Sequence, residues 1–263
     1  ASAAESVSRV ELSRHLAAAL RGRTPSAAPP AYVASLFDRY APSFESHVAG
    51  PLQYTTPEAL AEELRAYVAS LAAGAFGGAG EGIRLVADLG VGTGLLGPHL
   101  RALAPKAVIE GVDLSAKMLE QASLKRCYDR LTCGDLVDFL RAGPGEQAAH
   151  LDIVTGADVL PYLGDLRPLF AAAARRLRPC AGALAVSTES AAVGGRGFKL
   201  MQTGRFVHSP EYVRGVAAGA GLGVARERPV VLRCDGGLPV YGHLFVLRSG
   251  RADVALPVGE LHE

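Results

Sequence analysis

The chain has 263 residues, 49% of them hydrophobic and 20% charged, with a formal net charge of +1. This suits a well-buried core in one large α/β domain or in one domain with an appendage. It gives no global electrostatic case for nucleic acid or an anionic membrane, and no run of about 18 apolar residues is present to span a bilayer. The four cysteines, Cys127, Cys133, Cys180 and Cys234, form no C-x-x-C pair and stand at no zinc spacing with a His, so no metal site is expected. They read as small reduced core residues in or beside strands, which points to the cytoplasm or an organelle matrix. Ala1 to Leu20 is Ala/Ser-rich but carries Glu5 and Glu11, an imperfect remnant of a transit peptide.

Val10–Leu20 has the apolar spacing of a helix. Arg21-Gly-Arg-Thr-Pro-Ser-Ala-Ala-Pro-Pro30 is a Pro-rich linker, so residues 1–30 are expected to form a docking arm for a protein partner or the remnant of a preceding region. Tyr32–Tyr40 and Thr56–Leu71 read as helices, the second with Thr56 as cap, Pro57 at the first helical position and Glu58 in the first turn. These helices make up an entry segment over 31–73, at the start of a domain running 31–250. Gly74–Gly82 is a Gly-rich loop, and 251–263 is a tail.

An alternating pattern follows. Strands are expected at Ile83–Asp88, Ala107–Val112, Tyr128–Cys133, Leu151–Ala157 and Ala183–Thr188. Helices fall between them at Leu95–Ala104, Ser115–Lys125, Leu136–Ala142 and Leu166–Leu177. Such alternation implies a parallel sheet with right-handed crossovers. After a helix at Pro210–Ala220, Val224–Cys234 and Val240–Leu247 flank Gly236-Gly237 and should form a hairpin.

Within this pattern Val86-Ala-Asp-Leu-Gly-Val-Gly-Thr-Gly-Leu-Leu-Gly97 leads to Ile109-Glu-Gly-Val-Asp113. That is a strand ending in an acid, a Gly-rich turn, a helix, and a second strand ending in an acid. Gly90, Gly92 and Gly94 allow a tight turn and let a ligand touch the backbone, and the next helix start offers free N–H groups. Asp113 lies 19 residues past Gly94, near the spacing at which an acid meets ribose hydroxyls. Gly92-Thr-Gly-Leu-Leu-Gly97 also matches the dinucleotide fingerprint. Asp88 opposes that reading, because a carboxylate there would sit near a doubly charged pyrophosphate, whereas it suits a ligand with an ammonium and a sulfonium.

The run resembles the first motif of class I S-adenosylmethionine-dependent methyltransferases. Val112-Asp-Leu-Ser-Ala-Lys-Met-Leu-Glu-Gln-Ala122 resembles their second element, Cys133-Gly-Asp135 their third strand end, and Asp152-Ile-Val-Thr-Gly-Ala-Asp-Val-Leu-Pro-Tyr-Leu163 their fourth motif. The resemblance implies a Rossmann-like, mostly parallel seven-stranded sheet with a C-terminal antiparallel hairpin and helices on both faces. It implies S-adenosylmethionine as cofactor. Asp88 would hold its ammonium, Gly90, Gly92 and Gly94 would form the turn under its methionine part, and Asp113 with Leu114 would meet the ribose. Met118 would lie against the adenosine, Asp135 and the Leu136 amide would take the adenine, and Ala157 and Asp158 would flank the sulfonium. No Asn-Pro-Pro-Tyr or Asp-Pro-Pro-Tyr occurs, which weakens methylation of adenine or glutamine amino groups.

Tyr32-Val-Ala-Ser-Leu-Phe-Asp-Arg-Tyr-Ala-Pro-Ser-Phe-Glu-Ser-His47 with Leu52-Gln-Tyr54 is similar to the entry segment of methyltransferases attached to tetratricopeptide repeats. So are Gly204-Arg-Phe-Val-His-Ser-Pro-Glu-Tyr-Val213, where Phe206 replaces a more usual Tyr, and Gly237-Leu-Pro-Val-Tyr-Gly-His-Leu-Phe-Val-Leu-Arg248. The likeness covers residues 11 to 248, and no repeat of about 34 residues occurs in the chain. It implies that the entry segment folds over the cofactor, with Tyr40 and Tyr54 as lid residues and Phe37 and Phe44 as packing anchors. His208 and Tyr212, on one helical face, are candidates for the acceptor site, His208 as a base. His47 and His99 read as structural or surface residues. A small-molecule acceptor is favoured over protein, with nucleic acid last. The competing expectation is a non-catalytic scaffold of this fold within a larger assembly.

Overall fold

In the computed structural model, residues 3–50, 52–72, 74–76, 82–142, 150–190 and 197–250 are described. Five segments, Leu85–Leu89 (β1), Val108–Asp113 (β2), Arg130–Cys133 (β3), Ile153–Gly156 (β4) and Ala183–Glu189 (β5), pair in parallel. β4 and β5 are buried at every position, as strands covered on both faces must be. The edge strand β3 is largely exposed.

Leu222–Asp235 (β8) and Leu238–Ser249 (β9) form the expected antiparallel hairpin. Gly236 and Gly237 turn it with φ of +57° and +80°, the two left-handed positions of a tight hairpin turn. β9 inserts beside β5, so the sheet runs β3-β2-β1-β4-β5-β9-β8. The register of β8 slips between Val231 and Arg233. That bulge breaks the in–out alternation, and Leu232 and Arg233 are consecutively buried at 0% and 9% exposure.

Helices cover both faces. Thr56–Ser70 (α4) and Gly97–Leu103 (α5) pack Leu60, Leu64, Tyr67 and Leu100 against Ile109, Leu244 and Val246. Leu136–Arg141 (α7), Arg167–Arg176 (α8) and Pro210–Gly219 (α9) cover the other face around Phe170, Leu184, Val213 and Phe245. Ala116–Leu124 (α6) is capped by Ser115, whose side chain accepts from the Met118 amide. Thr56 does not cap α4 as expected; Thr55 precedes the helix, and the Thr56 hydroxyl donates to the Leu232 carbonyl at 3.1 Å.

The entry region is more structured than its sequence suggests. Ala3–Leu20 (α1), Pro30–Tyr40 (α2) and Phe44–Ala49 (α3) precede α4, and Phe198–Leu200 (β6) pairs with Phe206–His208 (β7). Neither α3 nor this small hairpin was legible in the sequence, each being too short to show a period. Ala19, Ala28, Tyr32, Val33, Leu200 and Phe206 form a separate apolar cluster. The linker is pinned: Ala28 N–H donates to the Tyr162 carbonyl, and the Ser26 carbonyl accepts from Gly164 and Asp165. Residues 9–30 thus lie against the domain instead of standing off as an arm.

The four cysteines are free, but they are not core residues. Cys133 and Cys180 are exposed and Cys127 and Cys234 half-buried, because all four fall at strand ends or in connections. Most of the Gly-rich loop, residues 77–81, and the tail 251–263 lie outside the described residues. Among the described residues no helix is long and apolar enough to cross a membrane, and no group of metal-binding side chains gathers.

Candidate functional site

The carboxyl ends of β3, β2, β1, β4, β5 and β8 open onto one cavity of about 380 Å³. This is where an open α/β sheet binds ligands. Asp135, Asp113, Asp88, Asp158 and Glu189 therefore follow one another along its rim in strand order.

The three glycines of the turn serve different ends. Each has positive φ, at +67°, +56° and +83° for Gly90, Gly92 and Gly94. A Cβ on Gly90 would meet Val159 at 2.6 Å, and one on Gly94 would press on Tyr128 and Ala122. A Cβ on Gly92 would meet nothing within 4 Å, since that position faces the cavity. Gly94 is not among the residues lining the cavity, which corrects its expected contact with the cofactor: its lack of a side chain serves packing. Thr93, 1% exposed, does line it and was missed. A lone Thr between glycines gives no signal in a sequence.

Asp113 binds the turn as well as facing the cavity. It accepts from the Gly92 amide and the Ser115 amide, each at 2.8 Å. It is not a helix cap, because Ser115 takes that role. Burial pushes its carboxyl above the usual range, against the amide bonds that lower it. Asp135 is a cap, its Oδ1 accepting from Val137 and Asp138, and it lines the cavity too. Leu114 and Leu136 line the same end. Met118 does not: it is fully buried on α6 and absent from the lining, so its expected contact with the adenosine becomes core packing.

Asp88 is 2% exposed, with Tyr128 Oη and Thr155 Oγ1 each donating to it at 2.7 Å. Burial pushes its carboxyl up to about 6, and Asp113 adds to the shift, while the Tyr128 and Thr155 bonds oppose it. Ala157 and Asp158 follow β4 into the cavity. Asp158 holds a left-handed φ of +53°. Its amide donates to Ser187 Oγ, and Ser187 Oγ donates to its Oδ1.

Tyr40, Phe44, His47, Val48 and Tyr54 line the cavity from the entry segment. Tyr40 packs edge-on against Phe44 and hydrogen-bonds His47 Nδ1. Phe37 packs edge-on against Tyr162, which supports its expected anchoring role. Burial raises the Tyr54 phenol well above its usual value, and its bond to Asp158 raises it further. Three ties hold the segment down. Asp38 accepts from Ser115 Oγ at 2.6 Å, Glu45 pairs with Lys125 at 2.7 Å, and Cys234 N–H donates to the Leu52 carbonyl at 2.7 Å.

His208 and Tyr212 are not brought to the site. His208 is 0% exposed, and its Nε2–H donates to the carbonyls of Leu163 and Gly164. Burial lowers its imidazole to about 4, despite those bonds. Tyr212 stacks on His208 with its hydroxyl between the Leu166 amide and Asp165. Neither lines the cavity, so both leave the catalytic assignment. The short β7 strand buries His208, and nothing in the sequence marked that strand. His47, set aside on sequence, does line the cavity.

The sheet order, the glycine turn and the acids at successive strand ends define the Rossmann-like fold of class I methyltransferases. Residues 87–183 match the family model described as a methyltransferase domain. No curated protein matches the chain. Among solved structures, a S-adenosylmethionine-dependent methyltransferase from Leishmania major is 17% identical, with 82% of this chain aligned to 81% of that one and a TM-score of 0.61. Magnesium protoporphyrin IX methyltransferase from Synechocystis, solved with S-adenosylhomocysteine bound, is 20% identical over 74% of this chain and 82% of that one, TM-score 0.51. The cyclase SpnF is 16% identical over 87% of this chain and 98% of that one, TM-score 0.62. These likenesses show the fold.

Proposed function

We propose that the chain is a S-adenosylmethionine-dependent methyltransferase acting on a small molecule. The observation that carries this is the single cavity on which Asp135, Asp113, Asp88 and the open face of Gly92 converge. The residues fit the cofactor: Gly92 leaves room where a backbone meets a ligand, and Asp113 keeps lone pairs for a diol after accepting two amides. The family match over residues 87–183 supports the same reading.

When bound, the cofactor supplies a methyl group on a positively charged sulfur. Asp113 would accept the ribose hydroxyls. Asp135 would take the adenine amino group and the Leu136 amide a ring nitrogen. Asp88, in its buried, low-dielectric setting, would hold the ammonium, and Ala157 and Asp158 would flank the sulfonium. Tyr40, Phe44 and Tyr54 exclude water from above, which strengthens each of these interactions. The cavity positions the acceptor for in-line attack. Its enclosure by Phe37, Tyr40, Phe44 and Tyr162 favours a small molecule over a protein or nucleic acid chain. The entry segment and the Gly204–Val213 stretch support membership of the branch associated with tetratricopeptide repeats, and the free thiols suit a reducing compartment.

Calorimetric titration with S-adenosylmethionine, followed by an acceptor screen with cofactor carrying a labelled methyl group, tests the reading. Heat on titration and label in a small molecule are expected. Absence of binding overturns the cofactor assignment, and binding without transfer to any acceptor favours the scaffold. The likeness to a cyclase makes the second step necessary, because this fold alone does not fix the reaction.

A further inference from the structure

The end of the cavity away from Asp113 and Asp135 carries a chain of alternating charges. Arg233 pairs with Asp158 Oδ2 at 3.2 Å and with Glu189 Oε1; Arg205 pairs with Glu189 Oε1 at 3.0 Å and Asp235 Oδ2 at 2.7 Å. All five residues line the cavity. β8 runs in the same direction as β5, since each is antiparallel to β9, so Glu189 and Asp235 leave the sheet at the same edge. With strands about 4.8 Å apart, the three steps from β2 to β5 place Glu189, at the middle of the ladder, roughly 14 Å from the ribose acid. That is beyond the cofactor's sugar and on the acceptor's side.

The ladder's chemistry is one-sided. Three carboxylates face two guanidiniums, leaving one negative charge. Each guanidinium already serves two carboxylates, so an anionic ligand would have to displace one of them. The carboxylates retain lone pairs and can still accept hydrogen bonds. Glu189 and Arg233 are only 5% and 9% exposed, so their charges act in a poorly screened setting. The remaining wall is largely apolar and includes four aromatic rings, Phe37, Tyr40, Phe44 and Tyr162, which suit an apolar body and, where a ring face is presented, a cation. Tyr40 and His47 lie close enough to feel the Asp235 charge, so roof and ladder meet.

We propose that the acceptor is an amine on an apolar, aromatic-sized body, bound as its ammonium between the Asp158–Arg233–Glu189–Arg205–Asp235 ladder and the Tyr40–Phe44 roof. This rests on the methyltransferase reading and names its substrate class. Methyl transfer needs the nitrogen's lone pair: the ammonium would first give a proton to His47, which lines the cavity, and the freed pair would form the N–C bond as the methyl–sulfur bond breaks, leaving S-adenosylhomocysteine and the methylated ammonium.

The test is calorimetric titration of the full chain, saturated with S-adenosylhomocysteine, with phenethylamine, 2-phenylethanol and 3-phenylpropionate. The amine is expected to bind about tenfold or more tighter than the alcohol, with the acid weakest. Asp235→Asn, at the half-exposed end of the ladder, should remove most of that preference while the affinity for S-adenosylhomocysteine is unchanged; Glu189→Gln should do the same if it folds. Equal binding of amine and alcohol, preference for the acid, or an undiminished amine preference in Asp235→Asn overturns the proposal. Failure of S-adenosylhomocysteine itself to bind instead overturns the methyltransferase reading, so the two failures are distinct.

Discussion

The Gly92 amide donates to Asp113 Oδ2 at 2.8 Å, joining the glycine turn after β1 to the acid that ends β2. One carboxylate oxygen therefore fixes the loop on which the cofactor is proposed to lie, while the group as a whole still faces the cavity. Loss of this side chain would loosen the turn and remove the proposed ribose acceptor together.

Asp113→Ala should weaken S-adenosylmethionine binding by about 1.5–3 kcal/mol, the scale of lost charge-assisted bonds. The far-ultraviolet circular dichroism should stay that of the folded sheet. Unchanged affinity in a folded variant would remove Asp113 from the ribose.

The glycines should separate by phenotype. Gly92→Val should fold, at a cost of about 1–2 kcal/mol for left-handed backbone, yet lose cofactor binding because its side chain fills the open face. Gly90→Val should chiefly lower the melting temperature, since its Cβ would stand 2.6 Å from Val159. Parallel thermal melts and titrations of both variants check this. Full binding by Gly92→Val would show that the turn does not hold the cofactor.

Asp88 predicts a proton linkage. Its carboxyl titrates at about 6 in the fold against 3.8 as the reference value. A raised acid favours the folded state below its unfolded value, and that stability is lost as pH rises through about 6, on the order of 3 kcal/mol in all. An incoming ammonium lowers the value, so binding near pH 6 should release up to about one proton and tighten as pH rises. Titrations in two buffers of different ionisation enthalpy measure the proton count. Wild-type release equal to that of Asp88→Asn would contradict the assignment.

His208 predicts the opposite slope. It titrates at about 4 in the fold against 6.5 as the reference value. The unfolded chain takes up its proton first, so stability is present above pH 6.5 and lost as pH falls toward 4, on the order of 3 kcal/mol. His208→Ala should cost about 1–3 kcal/mol, because two carbonyls lose their donor, and leave cofactor affinity unchanged. A selective loss of affinity would return His208 to the site.

The entry segment should still move. Although tied by Asp38, Glu45 and Leu52, the segment Tyr32–Tyr54 lines the cavity with Phe37, Tyr40, Phe44 and Tyr54, so a bound ligand would press against it. Hydrogen exchange across these residues should slow when S-adenosylhomocysteine is added. Equal protection in both states would make the segment fixed structure.

The sequence by itself determined the sheet and the strand-end acids and glycine turn that are proposed to hold the cofactor. Buried parallel strands are mostly apolar, turns with positive φ favour glycine, and an acid closing a strand next to such a turn is visible as a spacing. Asp88, Gly92, Asp113 and Asp135 were therefore readable one stretch at a time. Only the tertiary structure decided the rest. It sent Met118 and Gly94 into packing and buried His208, at the end of β7, against Leu163 and Gly164, because burial depends on neighbours far away in the chain. It also assembled Asp158, Glu189, Arg205, Arg233 and Asp235 from separate elements and, through the bulge before Arg233, turned that guanidinium inward. Charges that attract one another only after folding leave no periodicity behind, and this charged ladder in the cavity wall is built from them.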